Sequence, residues 1–486
     1  FDADNAHFFR VFNCDQCGTG RVHLFRPRIG ELLPVYVLDD YVGFTTREFH
    51  QLDETELANY VDRTSAAVLA VYRSFPFDLV QAHHLIASPA VARNVSEEVG
   101  VAYHVTIHGS ALNYSVRRSQ KLKDLSIYGL DRAVSVSASS HFLGNQLNDY
   151  LVEAGHEKVD VNVVYPGVEL SIFRPENNNI NHLQDDLKER KVFGKSAGLK
   201  EALNAVVSTG NRKLLDEELS SLAVYERRAP DGDLIDVLTK IDWRNDQIVA
   251  FVGKYLVGKG LHALILAAPI ILKEAPNARF LALGFSDQRE VFEALLAALA
   301  TNQGDIVVDL VERLEKSISP KVGRSFIANL IKEGNFANYL EGAAAQNLEE
   351  RFIFTGPLDH FELAKILAAS SLFVAPSIFP EAFGMVAVEA LASGIYPIVT
   401  NAFGMAEIGQ EIRKKMSGYF INQPNLGLND RFVVSLAQSI FDTLANVDIK
   451  GTKFRAAAHQ MATDLFSWDR VAEDYIEIFD HGRKTA

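Results

Sequence analysis

Cysteine is almost missing. The 486 residues contain two, which excludes a disulfide framework and points to a reducing, cytoplasmic setting. Basic residues are outnumbered, 48 Lys and Arg against 62 Asp and Glu, for a formal net charge of -14. That deficit excludes non-specific nucleic-acid binding, which draws on a surface excess of cations, and it disfavours peripheral membrane contact. Long hydrophobic runs are also lacking. The longest, such as Leu261 to Leu272, contain His262 or stop short of the roughly 20 residues a bilayer demands. The chain opens with Phe1, not methionine, and shows no signal-peptide pattern, so residues upstream can be missing from it.

The two cysteines, Cys14 and Cys17, form a lone C-x-x-C flanked by His7 and His23. Strong zinc signatures have two well-spaced pairs, so no metal is expected, and a redox pair is read as equally weak. The acidic triads at Asp2 and Asp231 resemble metal-binding pairs, but neither follows a buried strand and both are taken as chance. The stretch R-R-S-Q-K-L-K, with Arg117, Arg118, Lys121 and Lys123, reads as a solvated helix face rather than a phosphate or lipid contact.

What is present is a long alternation. Short apolar or β-branched runs alternate with helical patterns from about residue 78 onward, the mark of βαβ units and parallel sheets. Candidate strands are 22–25, 34–38, 78–82, 102–107, 133–136 and 161–164, then 248–252, 279–283, 352–355, 372–375 and 396–400. The expectation is α/β, with two doubly wound domains. The first covers 1–170 and is joined by a C-terminal helix, 467–486; the second covers 171–466. Polar helical stretches at about 176–245 and 303–349 far exceed ordinary strand–helix connections and are read as insertions.

Two segments carry chemistry. In F-P-E-A-F-G-M-V-A-V-E-A-L-A-S-G, every residue from Met385 to Ala392 is apolar except Glu389. A helix without a polar face lies buried, and an unpaired carboxylate inside it costs several kcal/mol. Glu389 therefore needs a partner, either an internal Lys or Arg or the vicinal diol of a ribose. Glu381, in the preceding loop, suits sugar hydroxyls, while the N–H groups of Phe383, Gly384 and Met385 at the helix start suit a phosphate oxygen. The other segment, F-V-G-K-Y-L-V-G-K-G, ends a strand at Gly253 and presents Lys254 and Lys259 before a helix opens. Ligands of open parallel sheets bind at such strand ends, and two lysines there suit a diphosphate.

These motifs closely resemble the retaining glycosyltransferases of family 4, which have the GT-B fold: two Rossmann-like domains with a cleft between them. Further echoes are T-I-H-G-S around His108, Y-P-G-V-E-L-S-I-F-R-P, F-T-G-P-L, N-A-F-G-M-A-E-I and the terminal F-S-W. The resemblance implies a sugar transferase that moves a hexose from a UDP- or GDP-sugar to an acceptor hydroxyl, without metal or other cofactor. By it, Lys254 and Lys259 neutralise the diphosphate, Glu381 holds the transferred sugar and Glu389 the ribose. Backbone near Gly356 to Leu358 meets the nucleobase, and His108 contacts the sugar near the reacting centre. The acceptor, whether small metabolite, sugar or lipid, stays open. Lys254 stands where the family usually has arginine, Pro166 and Glu169 replace the commoner Asn and Asp, and the expected glycine-rich loop is absent, since Cys17-Gly18-Thr19-Gly20 runs straight into the next strand. The rival readings are a non-catalytic sugar-nucleotide sensor or scaffold and a GT-B epimerase.

Overall fold

The computed structural model describes residues 6–13, 21–36, 41, 43–176, 180–190, 192–222, 229–419, 426–446 and 451–485. Cys14, Cys17, the Gly18–Gly20 stretch and the triad at Asp2 lie outside the described residues. The chain divides into two compact units, Phe1–Tyr165 with Val471–Ala486, and Pro166–Arg470.

In the first unit β1 (Ala6–Asn13) and β2 (Arg21–Pro27) form an antiparallel pair, and β3 (Leu32–Val35) and β4 (Thr45–Glu48) a short parallel one. A four-stranded parallel sheet follows in the order β5 (Leu79–His83), β6 (Ala102–Ile107), β7 (Ser135–Ala138), β8 (Val161–Val163). Helix Glu54–Ser74 precedes it, started by a reciprocal capping box between Asp53 and Glu56. The terminal helix, Trp468–Thr485, lays Tyr475 and Phe479 against the buried His104 of β6, at ring-centroid distances of 5.8 and 5.3 Å.

The second unit is built on a five-stranded parallel sheet: β9 (Gln247–Val252), β10 (Ala278–Leu283), β11 (Phe352–Phe354), β12 (Leu372–Ala375) and β13 (Tyr396–Val399). Their order is β11-β10-β9-β12-β13. The central strands are buried on both faces, which is why they read as unbroken apolar runs. Helix Leu261–Glu274 after β9 is buried almost along its length, and each of its enclosed Leu and Ile side chains contributes about 1.5–3 kcal/mol. Among the described residues the first insertion supplies helices Ile180–Lys188, Ala197–Ser208, Arg212–Leu222 and Leu234–Thr239 ahead of β9. The second supplies Gly304–Leu314, Val322–Lys332, Phe336–Ala344 and the short Leu348–Arg351 ahead of β11. No helix of the described residues is long and apolar enough to cross a membrane.

Candidate functional site

In the second unit the strand order reverses at β9. The chain leaves β9 towards β10 and β11 on one side and returns to β12 and β13 on the other. Loops at such a reversal part to opposite faces, and ligands of open parallel sheets bind there. The loops concerned are 253–260 after β9 and 376–384 after β12, the two segments singled out in the sequence.

Backbone contacts join them. The N–H groups of Ile378 and Phe379 both donate to the carbonyl of Gly258, at 2.8 and 3.2 Å. Gly260, with φ +77°, approaches Pro376 so closely that a Cβ would lie 1.8 Å from its carbonyl oxygen; only glycine permits that contact. Across the joined loops Lys259 Nζ donates to Glu381 Oε1 at 2.5 Å, and Ser377 Oγ donates to the same oxygen at 3.1 Å. Two groups assigned separately to diphosphate and sugar thus stand paired with each other. Gly253 is the first residue past the strand, and Lys254 beside it is exposed, with no ion pair among the described residues.

Helix Met385–Ala392 opens at Gly384, whose φ of +115° is left-handed. The first backbone N–H groups of a helix have no partner within it and, with the helix dipole, favour an anion. Phe383 anchors the turn, buried edge-on against Phe466 with centroids 5.8 Å apart. Further along the helix lies Glu389, 8% exposed. Burial raises its pKa above the ordinary glutamate value, and the nearby His360 works against that shift. Among the described residues no hydrogen bond or ion pair reaches its carboxylate, so the internal Lys or Arg partner weighed in the sequence is not there.

Gly356 and Leu358 follow β11. Gly356, φ +72°, is backed by the first insertion: a Cβ there would meet the Ala229 carbonyl oxygen at 2.7 Å and Asp231 Oδ1 at 3.0 Å. Asp231 is fully buried, gripped by both terminal nitrogens of Arg289 at 2.7 and 2.5 Å and by Lys200 at 2.7 Å. Its desolvation is outweighed by these cations, which hold its pKa below the ordinary value. The D-G-D triad therefore has a structural occupation. His360, not singled out in the sequence, opens helix His360–Ala369 behind the capping box of Asp359 and Glu362, and its ring lies edge-on to Phe173 at 5.9 Å. Its local signal was that capping box; its nearness to Glu389 had none.

His108 belongs to the first unit. It follows β6, just before a π-helical turn at Ala111–Ser115, a widened turn frequent at functional sites. It is half-buried beside His83 and His84. Arg117 pairs with Glu153 at 3.4 Å and Arg118 with Glu48 at 4.0 Å, both part-exposed. Among the described residues no cluster of three His, Cys, Asp or Glu is placed to hold a metal ion.

Residues 240–427 match the family model described as glycosyl transferases group 1. An uncharacterized glycosyltransferase of Methanocaldococcus jannaschii is 22% identical over 48% of this chain and 45% of its own length. A mannosylfructose-phosphate synthase of Agrobacterium fabrum is 28% identical over 38% of this chain and 39% of its own. The chain thus spans less than half the length of these curated relatives. Among solved structures, a sucrose-phosphate synthase of Thermosynechococcus elongatus superposes with a TM-score of 0.50 at 17% identity, covering 93% of this chain and 86% of the other. That likeness shows the fold, the two-domain α/β GT-B type expected from the motifs.

Proposed function

We propose that the chain, whose residues 240–427 match the model of the glycosyl transferases group 1, transfers a sugar from a UDP- or GDP-linked donor to an acceptor hydroxyl, with retention of configuration and without a metal. The observation that carries this reading is Glu389, a buried carboxylate with no protein partner among the described residues, set beyond a helix start that favours an anion. A ribose diol supplies the two O–H donors such a carboxylate lacks, and a diphosphate then falls towards Lys254, Lys259 and the N–H groups of Gly384 and Met385.

In this reading Lys259 leaves Glu381 when the donor arrives. The diphosphate, with more charge than a carboxylate, draws the ammonium, and Glu381 is released to accept from the hydroxyls of the sugar. Backbone groups of Gly356 and Leu358 meet the nucleobase, and His108 contacts the sugar near the reacting carbon. Charge building on the departing diphosphate is stabilised by lysines and dipoles already in place, commonly the largest contribution in such chemistry.

The test is a screen of UDP- and GDP-sugars for release of nucleoside diphosphate, with sugars, sugar phosphates, small metabolites and lipids as acceptors. One donor is expected to turn over faster when its acceptor is added. Separate Glu381→Gln and His108→Ala substitutions are expected to lower kcat by about 10²–10³-fold while UDP or GDP still binds. Nucleotide binding with no turnover on any donor replaces the enzyme with a sensor.

A further inference from the structure

In the first unit β5 and β6 run parallel in a register that sets His83 opposite Thr106. The chain leaves both strands at one level and brings three imidazoles together. His83 Nδ1 and His108 Nε2 are 3.0 Å apart, with rings 16° from parallel and centroids 5.3 Å apart. His84 lies against His108 at 4.7 Å. Its backbone is left-handed, φ +71°, a conformation that costs a non-glycine residue about 1–3 kcal/mol and survives where the surroundings over-determine it. Here they do: its N–H donates to the Thr106 carbonyl at 2.9 Å, and the Tyr36 ring packs on it at 4.3 Å.

Two ring nitrogens at hydrogen-bond distance cannot both present lone pairs; one carries the hydrogen, so the tautomer of one imidazole dictates that of the other. We propose that His83 is a positioning residue that donates its Nδ1–H to His108 Nε2, keeping the hydrogen of His108 on Nδ1 and offering it to a hydroxyl oxygen of the bound sugar or acceptor. This rests on the placing of His108 at the reacting centre made above.

The 3.0 Å approach fixes that the two rings share one hydrogen, and burial decides which ring takes up a further proton. Burial, with His83 close by, pushes His108 down to about 4. Burial, then His108 and His83, does the same to His84. His83 is the most exposed of the three and is lowered by burial alone. A proton taken up in acid therefore resides on His83, whose charged ring can only donate to His108; the neutral pair is assigned the same direction, which the ring 15N spectra below read directly. The other titratable groups facing the cluster are Tyr36 and His104. The latter is buried between the hydroxyls of Ser135 and Ser137, at 2.7 and 2.8 Å, and is also pushed down to about 4, chiefly by burial. No carboxylate among the described residues pairs with His83, His84 or His108.

The experiment uses the full chain with 15N-labelled histidine. Long-range 1H–15N correlation spectra report which nitrogen of each ring bears hydrogen, and the His108 signals are assigned by their loss in His108→Gln. Wild type is expected to show His108 as one tautomer, protonated on Nδ1. His83→Phe keeps the ring and removes the donor; it is expected to give mixed His108 tautomers and a kcat lower by about 10–100-fold, taking the size of effect known for partners that orient metal-bound histidines. Its KM for the nucleotide sugar stays unchanged. His83→Asn, whose amide nitrogen can take the place of Nδ1, recovers most of the loss. His108 protonated on Nε2 in wild type, or a His83→Phe protein with unaltered tautomer and turnover, overturns the positioning role. Should His83→Phe not fold, the wild-type spectrum and the His83→Asn kinetics decide. A His108→Ala protein with full turnover overturns instead the placing of His108, so the two failures are told apart.

Discussion

Glu389 places binding and stability in opposition. A carboxylate whose pKa is raised by burial holds its proton more tightly folded than unfolded. Its charged form therefore costs stability at any pH above the unfolded value, and the cost fades as pH falls below the folded one. Glu389→Gln removes that charge, and it is expected to be more stable than wild type by about 0.5–2 kcal/mol near neutral pH, with the gap closing in acid. Hydrogen bonds to a charged group contribute about 1.5–3 kcal/mol, so the same change should weaken UDP or GDP binding by about 10–150-fold. In wild type, nucleotide affinity should fall as pH drops through the raised pKa. Thermal melts and calorimetric titrations across pH check both. A glutamine variant that melts below wild type at neutral pH would show that Glu389 has a stabilising partner in the fold. The residue was legible because its helix is otherwise wholly apolar. His360, which tempers its charge, was not, because only the packing of helix His360–Ala369 brings the two near one another.

At the scale of elements, the insertions reach the site from behind. Asp231 of the first backs Gly356 and pairs with Arg289 and Lys200. In the second, Glu315 accepts from His262 Nε2 at 2.9 Å and from the N–H groups of Gly323 and Arg324 at 2.7 and 3.0 Å. His262 opens the helix that follows Lys259 and Gly260. Breaking a buried pair leaves its partner charged and desolvated, which costs about 3–5 kcal/mol. Asp231→Ala is thus expected to lower the unfolding free energy by that amount in denaturant titrations, and a change under about 1 kcal/mol would mean that Glu293, which also bonds Arg289, suffices alone. None of this was visible in D-G-D, because the partner lies on a helix distant in the chain. Strands were more legible: Ala102–Ile107 and Leu372–Ala375 match their apolar runs residue for residue. Strands buried on both faces announce themselves by composition, whereas β1 and β4 did not. The T-T-R-E of β4 is polar, has no buried residue and lies in a two-stranded pair, where composition constrains little. The reversal at β9 needed the pairing itself, since strand order leaves no mark on any single segment.

The division of the whole chain makes the donor-site reading separable. Gly253, Lys254, Lys259, Gly356, Leu358, Glu381, Phe383, Gly384, Met385 and Glu389 all fall within the continuous span Pro166–Arg470. So do both insertions and their buried ion pairs, while His83, His84 and His108 fall in the other unit. The span also closes on itself. Val168 N–H donates to the Phe466 carbonyl at 2.7 Å, and Gly167 lies so near Trp468 that a Cβ would meet its ring at 2.5 Å. A fragment with its own core, ends tied together and every residue assigned to the nucleotide should fold alone. Residues 166–470 expressed by themselves are therefore expected to melt cooperatively and to bind UDP or GDP within about tenfold of the full chain, a difference of about 1.4 kcal/mol, yet to transfer no sugar. Cooperative melting without nucleotide binding, beside a full chain that binds, would move essential donor contacts into the first unit and undo the assignment of the β9 and β12 loops as sufficient for the nucleotide.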